Sequence, residues 1–222
     1  MTLTFLDLYN ECAGQPWSMF DNDATSSDEF ESAMRISINQ ALSELWNLYP
    51  WSFRLTSDRI VTKQGRVLYE VPNGKIAKKV IGGDECFMVT LDGEFLQYEP
   101  NYPLLEEREG KPESFYVDGD ELYFYPTPDG KYTINAKYHM INCGLDEEEE
   151  PISELVNDGD RINIPEKYEK MFKNCLLPLA MTYAISEESD ENYSMYQKKY
   201  EKALAVLIDY CNSSIVDKYI TF

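Results

Sequence analysis

The sequence predicts an α+β fold: a helical bundle formed by the N- and C-terminal segments, with an inserted, mainly antiparallel β domain. Three observations predict it. Apolar residues recur at helical spacing up to Leu48 and again from Tyr168 onward. Between Trp51 and Cys143 the chain changes to short β-rich runs separated by turn residues. The flanking helical segments all carry apolar stripes, which need a common core and make one bundle the economical packing.

The first helix is expected over Thr4 to Ala13, where Phe5, Leu8, Tyr9 and Cys12 share a face; Gly14, Gln15 and Pro16 stop it. Asp21 to Ser27 reads as a polar loop. Ser26 with Glu29 fits a capping box opening a long helix. Its face holds Phe30, Ala33, Met34, Ile38, Ala41, Leu42, Leu45 and Leu48, with Arg35, Asn39 and Ser43 opposite and Pro50 as the stop. Ile36 and Trp46 fall off this stripe; a second buried face explains them, and so does scatter.

The β block contains "RIVTK", "RVLYEV", "FMVTL", "GEFLQY", "SFYV", "ELYFYP" and "YTINAKYHM". Val117-Asp118-Gly119-Asp120 reads as a hairpin turn, because glycine accepts the positive φ such turns need. In "ELYFYPTPDGKYTINAKY" neither Pro126 nor Pro128 can donate to a ladder, so the chain must leave the sheet there. The stretch reads as a strand, a rigid corner and a returning strand. Asp146 to Glu150 is an acidic run in a connecting segment. Pro165 suits the first position of a helix with Tyr168, Met171, Phe172, Cys175, Leu179 and Tyr183 on its apolar face, kinked at Pro178. Ser189 or Asp190 caps a last helix through Tyr193, Tyr196, Tyr200, Leu204, Leu207 and Cys211, and Ser213-Ser214 breaks its stripe. The domain plan is thus 1–53 with 162–212 as the bundle, 54–145 as the β domain, 146–161 as an acidic linker and 213–222 as a docking tail.

The composition narrows the function. With 222 residues, 43% hydrophobic and 14% aromatic, the chain can bury a sizeable core. It has no apolar run of the ~18 residues that span a membrane, and "MTLTFLDLYNECAG" has no basic region of an export signal. The cysteines at 12, 86, 143, 175 and 211 are odd in number and form no C-x-x-C, so reduced, mostly buried thiols are expected. A net charge of −20 repels free nucleic acid. The charge is blocked: residues 54–80 are +5 and residues 81–161 are −16. Such blocks suit attraction between identical subunits, or are simply solvated faces.

No constellation for catalysis stands out. The single histidine, His139, sits at a strand end with no marked nucleophile. "DNDATSSDEFES" begins like a calcium loop but has Ser26 and Ser32 where glycine and glutamate belong. "VIGGDE" is neither a dinucleotide fingerprint nor a P-loop. No catalytic residue, cofactor or metal is therefore expected. Lys75, Lys78 and Lys79 are expected to meet acidic protein, and the 17 tyrosines belong to interfaces, to a sugar-stacking β face or to the core.

The order of parts resembles the head–tail connector (adaptor) proteins of short-tailed phages, the tail tubular protein A type, including the ring proteins of crAss-like phages. The carriers are "LWNLYPWSFR", then Tyr125-Pro126-Thr127-Pro128-Asp129-Gly130 before a tyrosine-rich strand, then "INIPEKYEKMFKNCLLPLAMTYAI" with Pro165-x-x-Tyr168 opening a helix, and finally "NYSMYQKKYEKALAVL". The resemblance implies a non-enzymatic virion protein of the neck, assembled in host cytoplasm. It implies a dodecameric ring that joins the portal protein to a tail tube or nozzle protein and lets dsDNA pass without specific binding. On this reading Asp146, Glu147, Glu148, Glu149 and Glu150 face the channel or a neighbouring subunit. Ile215, Val216, Tyr219, Ile220 and Phe222 dock on their own subunit, a neighbour or the portal, and Lys75, Lys78 and Lys79 join the interface. The alternative from another class is a tail-associated carbohydrate-binding module.

Overall fold

A capping box starts the chain's first element. The Thr4 Oγ1 accepts the Asp7 N–H at 3.2 Å and the Asp7 carboxylate accepts the Thr4 N–H at 3.1 Å, so two donors orphaned by the helix start are satisfied. The resulting α1 (Phe5–Ala13) buries Phe5, Leu8 and Cys12. The computed structural model describes residues 3–14, 27–70, 74–81, 84–119, 121–185 and 191–219. They divide into two units, Met1–Phe53 with Asn142–Phe222, and Arg54–Ile141. The α+β class holds. The expected Ser26 cap, and the Ser189 or Asp190 cap, lie outside the described residues.

In the first unit α2 (Ser27–Leu48) buries Met34, Ser37, Ile38, Ala41, Leu42, Leu45 and Trp46. Trp46 belongs to the core although it falls off the simple stripe, whereas Ile36 is 55% exposed. Ala33 and Leu48, placed on the apolar face by spacing, are exposed. Trp46 is drawn into the core by the turn that follows. After Pro50 the chain folds back in a short 3-10 turn, Ser52–Arg54, and the Trp51 indole N–H donates to the Leu45 carbonyl at 2.7 Å. That places Phe53 5.8 Å from Trp46 and in stacked contact with Trp51 at 5.7 Å, so the buried face swings toward the end of α2.

Helix α3 (Glu166–Ala184) begins after Pro165, which is its N-cap and not its first residue. It adds Tyr168 and Phe172 to the same aromatic cluster, 5.2 and 5.6 Å from Phe53. Leu176, Ala180 and Met181 are also buried, while Tyr183 is exposed. Pro178 sits inside α3, which continues through it. Helix α4 (Glu191–Tyr219) buries Tyr196, Tyr200, Leu207 and Cys211. α3 packs on both α2 and α4, and α1 packs on α2 and α3. α4 runs on through Ser213-Ser214 to Tyr219, so the last helix is longer than expected, while the side chains that would show a break in its stripe there lie outside the described residues. Serine costs a helix only a few tenths of a kcal/mol, too little to stop one.

The second unit is a two-layer β structure. In chain order its strands are β1 (Leu55–Val61), β2 (Leu68–Glu70), β3 (Gly74–Ile76), β4 (Lys78–Ile81), β5 (Asp84–Phe87), β6 (Val89–Leu91), β7 (Glu94–Phe95), β8 (Gln97–Tyr98), β9 (Glu109–Gly110), β10 (Ser114–Asp118), β11 (Glu121–Tyr125), β12 (Thr127–Pro128) and β13 (Thr133–Met140). One sheet runs β1-β13-β6-β7 with β3 also on β13; the other runs β2-β11-β10-β8. Pairing is antiparallel except β8 on β10 and β12 on β9. Ile76, Val89, Leu91, Ile134 and Ala136 of the first sheet share one core with Tyr69, Phe115, Leu122 and Phe124 of the second. β10 turns into β11 at Gly119, whose φ of +60° favours glycine.

The corner at Pro126 to Gly130 corrects the sequence reading. The second aromatic strand does not return beside the first. β11 lies in one sheet and β13 in the other, so the corner carries the chain between layers. Thr62 pins it: its hydroxyl donates to the Gly130 carbonyl and accepts the Tyr132 N–H, both at 2.8 Å.

Candidate interaction surfaces

The acidic run is folded, not a plain connecting segment. β14 (Gly144–Leu145) pairs with both β15 (Pro151–Ile152) and β16 (Arg161–Ile162). Between β14 and β15 the Asp146 Oδ1 accepts the N–H groups of Glu148 and Glu150 at 2.9 and 2.8 Å, and the Asp146 N–H donates to the Glu150 carbonyl. Aspartate is suited to this, since its short side chain answers nearby backbone donors. Glu149 takes a φ of +69° and its carboxylate meets Arg161 at 2.7 Å. Glu147 lies across Gly159, where a Cβ would come within 2.4 Å of its carboxylate. Glu147 to Glu150 are exposed and Asp146 is half-buried.

This hairpin is joined to α2 by contacts that helical spacing assigns to its polar side. The Asn39 amide donates to the Leu155 carbonyl at 2.8 Å and accepts the Leu155 N–H at 3.0 Å. Arg35 pairs with Glu31 and Asp158, and its guanidinium lies 4.7 Å from the Phe5 ring centre. Buried Asp160 accepts the N–H groups of Val156 and Asn157.

On the β unit, strand parity sorts the charges into two outer faces. In the first sheet Ile60, Ile134, Ala136, Val89, Leu91 and Ile76 point to the core, so their neighbours point out. That outer face carries Arg59, Lys137 and Lys75, with His139 opposite Lys75. All three cations are exposed, and none has a carboxylate within ion-pair distance among the described residues. Lys78 lies apart on β4, with its Nζ 5.0 Å from the Phe87 ring centre; the Lys79 side chain lies outside the described residues.

The outer face of the second sheet is the opposite. Glu70 pairs with Glu121, and Glu121 with Asp118, which sets three carboxylates in one row across β2, β11 and β10. Beside them Tyr116 pairs with Tyr123. Tyr102 lies parallel over Tyr116 at 5.7 Å and contacts Tyr123 and Tyr125. The Tyr123 hydroxyl donates to Glu121 at 2.6 Å, which pushes its pKa up to about 12. A hollow of about 660 Å³ adjoins this face, lined by Tyr102, Tyr125, Val67 and the run Glu106 to Glu109, in which Arg108 pairs with Glu113. Sequence reading singled out Lys75 but missed Arg59, Lys137, Glu70, Asp118 and Glu121. Period-two parity within their strands was the signal that could have found them.

Among the described residues the titratable groups show no reactive pattern. Burial and the nearby Arg54 push the His139 pKa below its ordinary value, so the neutral imidazole is favoured. Cys12, Cys143, Cys175 and Cys211 are buried free thiols; burial pushes Cys12 and Cys175 up to about 12, far from a thiolate nucleophile. Among the described residues no group of histidine, cysteine or acid is arranged to hold a metal, and no helix is long and apolar enough to cross a membrane. Of the tail residues, Ile215, Val216 and Tyr219 belong to α4, with side chains outside the described set; Ile220 and Phe222 lie outside it altogether.

The features that stand out are a helical frame and a β unit whose two outer faces carry opposite charge. The sequence matches the model of a family described as SU10 adaptor protein over residues 4–216, and the chain belongs to that family. No curated protein sequence matches it. Membership makes it a phage adaptor, a virion component that contacts other head and tail proteins.

Proposed function

We propose that this chain forms a ring between the portal and the tail, with an open centre through which the genome passes. The observation that carries this reading is the family match, which runs through both the helical and the β units. Ring formation needs no catalytic group, and the protein acts without a cofactor. The net charge of −20 supports a channel along which DNA slides without sticking. Twelve copies close the ring, the portal protein lies on one side, and a tail tube or nozzle protein lies on the other. The Asp146 to Glu150 hairpin faces the channel or a neighbouring subunit, and the end of α4 with residues 220–222 docks on a neighbour or on the portal.

Negative-stain imaging of the purified chain, alone and with the portal protein of the same phage, tests this. Rings, alone or on the portal, are the expected result. A chain that stays monomeric with portal present and binds glycans would overturn it in favour of the carbohydrate-binding alternative. Neutralising Asp146 to Glu150 should weaken the ring or slow genome exit while the monomer stays folded. Deleting residues 214–222 should abolish attachment while barely moving the monomer's thermal transition.

A further inference from the structure

The ring reading leaves open which surfaces join neighbouring copies. The β unit presents two outer faces with opposite charge, and each is costly on its own. Like charges directly opposite one another on a sheet are destabilising, yet Glu70, Glu121 and Asp118 stand in a single row across three strands. On the other face, Arg59 is paired with Asn135 and Lys75 with His139, which places Lys137 diagonal to both cations, within the reach of long side chains. Elsewhere on this unit Arg108 and Lys111 have found carboxylates at 3.1 and 2.7 Å. Among the described residues Arg59, Lys75 and Lys137 have not, in a chain with twice as many acids as bases.

Apolar groups accompany the charges on both sides. Val61 and Phe95 point to the basic face, by their pairing with Thr133 and Thr90, and are 54% and 52% exposed. On the acidic face the segment holding Tyr102 over the tyrosine cluster also carries Leu104, 84% exposed. Tyrosine over a sheet, a protruding leucine and uncompensated carboxylates form a surface that fits a basic partner with apolar side chains at its edge.

We infer that the acidic tyrosine face of one copy, built on β2, β11 and β10, docks on the basic face of the next copy, built on β1, β13 and β3. The partner of each face is a second copy of this chain, because the other face supplies its complement in charge and apolar content. The contact is heterologous, so repeated application generates a closed ring if the rotation closes. The two faces lie on opposite sides of one β core, which suits a ring of many subunits, where each step turns only slightly. The inference rests on the ring reading above and adds the interface to it.

The test uses two variants in which only exposed side chains change. Lys75→Glu with Lys137→Glu removes the basic face; Glu70→Lys with Asp118→Lys removes the acidic one and leaves the Tyr123–Glu121 bond in place. Sedimentation velocity at low salt should show self-association of the wild type, weakening as salt rises. Each variant alone should associate at least about tenfold more weakly. An equimolar mixture of the two should associate again, as one-to-one pairs or larger, because the native face kept by each fits the native face kept by the other and the two reversed faces are themselves opposite in charge. The pairing itself shows that both variants are folded, and circular dichroism checks each separately. If a reversal unfolds the chain, Lys75→Gln with Lys137→Gln replaces it, with the same loss of association expected. Two variants that assemble like the wild type overturn the inference but leave the ring reading intact. A wild type that is monomeric at low salt, or a mixture that forms no pairs, overturns it as well. Only a chain that also makes no ring on the portal removes both.

Discussion

The helical unit and the β unit solve different problems with similar proportions of aromatic residue. In the first, aromatics are spent inward: Trp46, Trp51, Phe53, Tyr168 and Phe172 form one buried cluster at the junction of α2 and α3. In the second, phenylalanines 115 and 124 fill the core while tyrosines 102, 116, 123 and 125 are left half-buried on the outer face. The phenolic tip suits the half-buried positions, since it keeps a polar end in water while the ring packs. Charges divide in the same way. Arg35 of the helical unit is fixed in a local network, whereas Arg59, Lys75 and Lys137 of the β unit have no carboxylate partner among the described residues. One unit is organised around a buried aromatic cluster, and the other keeps tyrosine and charge at its surface.

If so, core truncation should do most damage in the helical unit. Phe172→Ala removes a fully buried ring and should cost about 3–5 kcal/mol, and Leu45→Ala about 2–5 kcal/mol, in denaturant unfolding. A loss below about 1 kcal/mol for both would end the description of that cluster as the frame. Next comes Asn39→Ala, which strips both partners from the Leu155 backbone and should cost about 1–3 kcal/mol. Hydrogen exchange should rise around residues 153–160 in that variant and stay unchanged in the β unit. Thr4→Ala breaks the capping box of α1 for about 1 kcal/mol, read as a shift in the same transition.

The β unit should respond more to pH and less to surface substitution. The His139 pKa is depressed in the fold, so above the ordinary histidine value both states are neutral there and the full stability is present. As pH falls below that value the unfolded chain takes up a proton that the fold resists, and stability drops until the depressed folded value is passed. His139→Gln should flatten that part of the pH–stability curve; an unchanged slope would remove His139 as its cause. The smallest effect is expected for Lys75→Glu with Lys137→Glu, within about 0.5 kcal/mol of wild type in monomer stability. A large loss would mean that the basic face serves the fold of the monomer.

Much of this division was legible in sequence, and the gaps have physical causes. Helical spacing placed Met34, Ile38, Ala41, Leu42 and Leu45 inside, as observed. It also put Asn39 and Arg35 on the polar side, without showing that residues 155 and 158 wait there, because a partner more than a hundred residues away leaves no local pattern. Strands β11 and β13 were recognisable from alternation, but alternation is silent on which sheet a strand joins. The acidic run read as a connecting segment because its turn is closed by Asp146 and a glutamate at positive φ, without the glycine or asparagine that usually signals one. The tyrosine excess was plain; that Tyr168 is core and Tyr116 is surface depends on the tertiary packing around each.

The central claim, that this adaptor is a ring component of the neck, is tested most directly by cryo-electron microscopy of the intact virion. The account predicts a closed ring of copies between portal and tail, with the β units of neighbours in contact through the faces bearing Lys75 and Glu70. Density for this chain elsewhere on the particle, or as isolated copies along the tail, would contradict it.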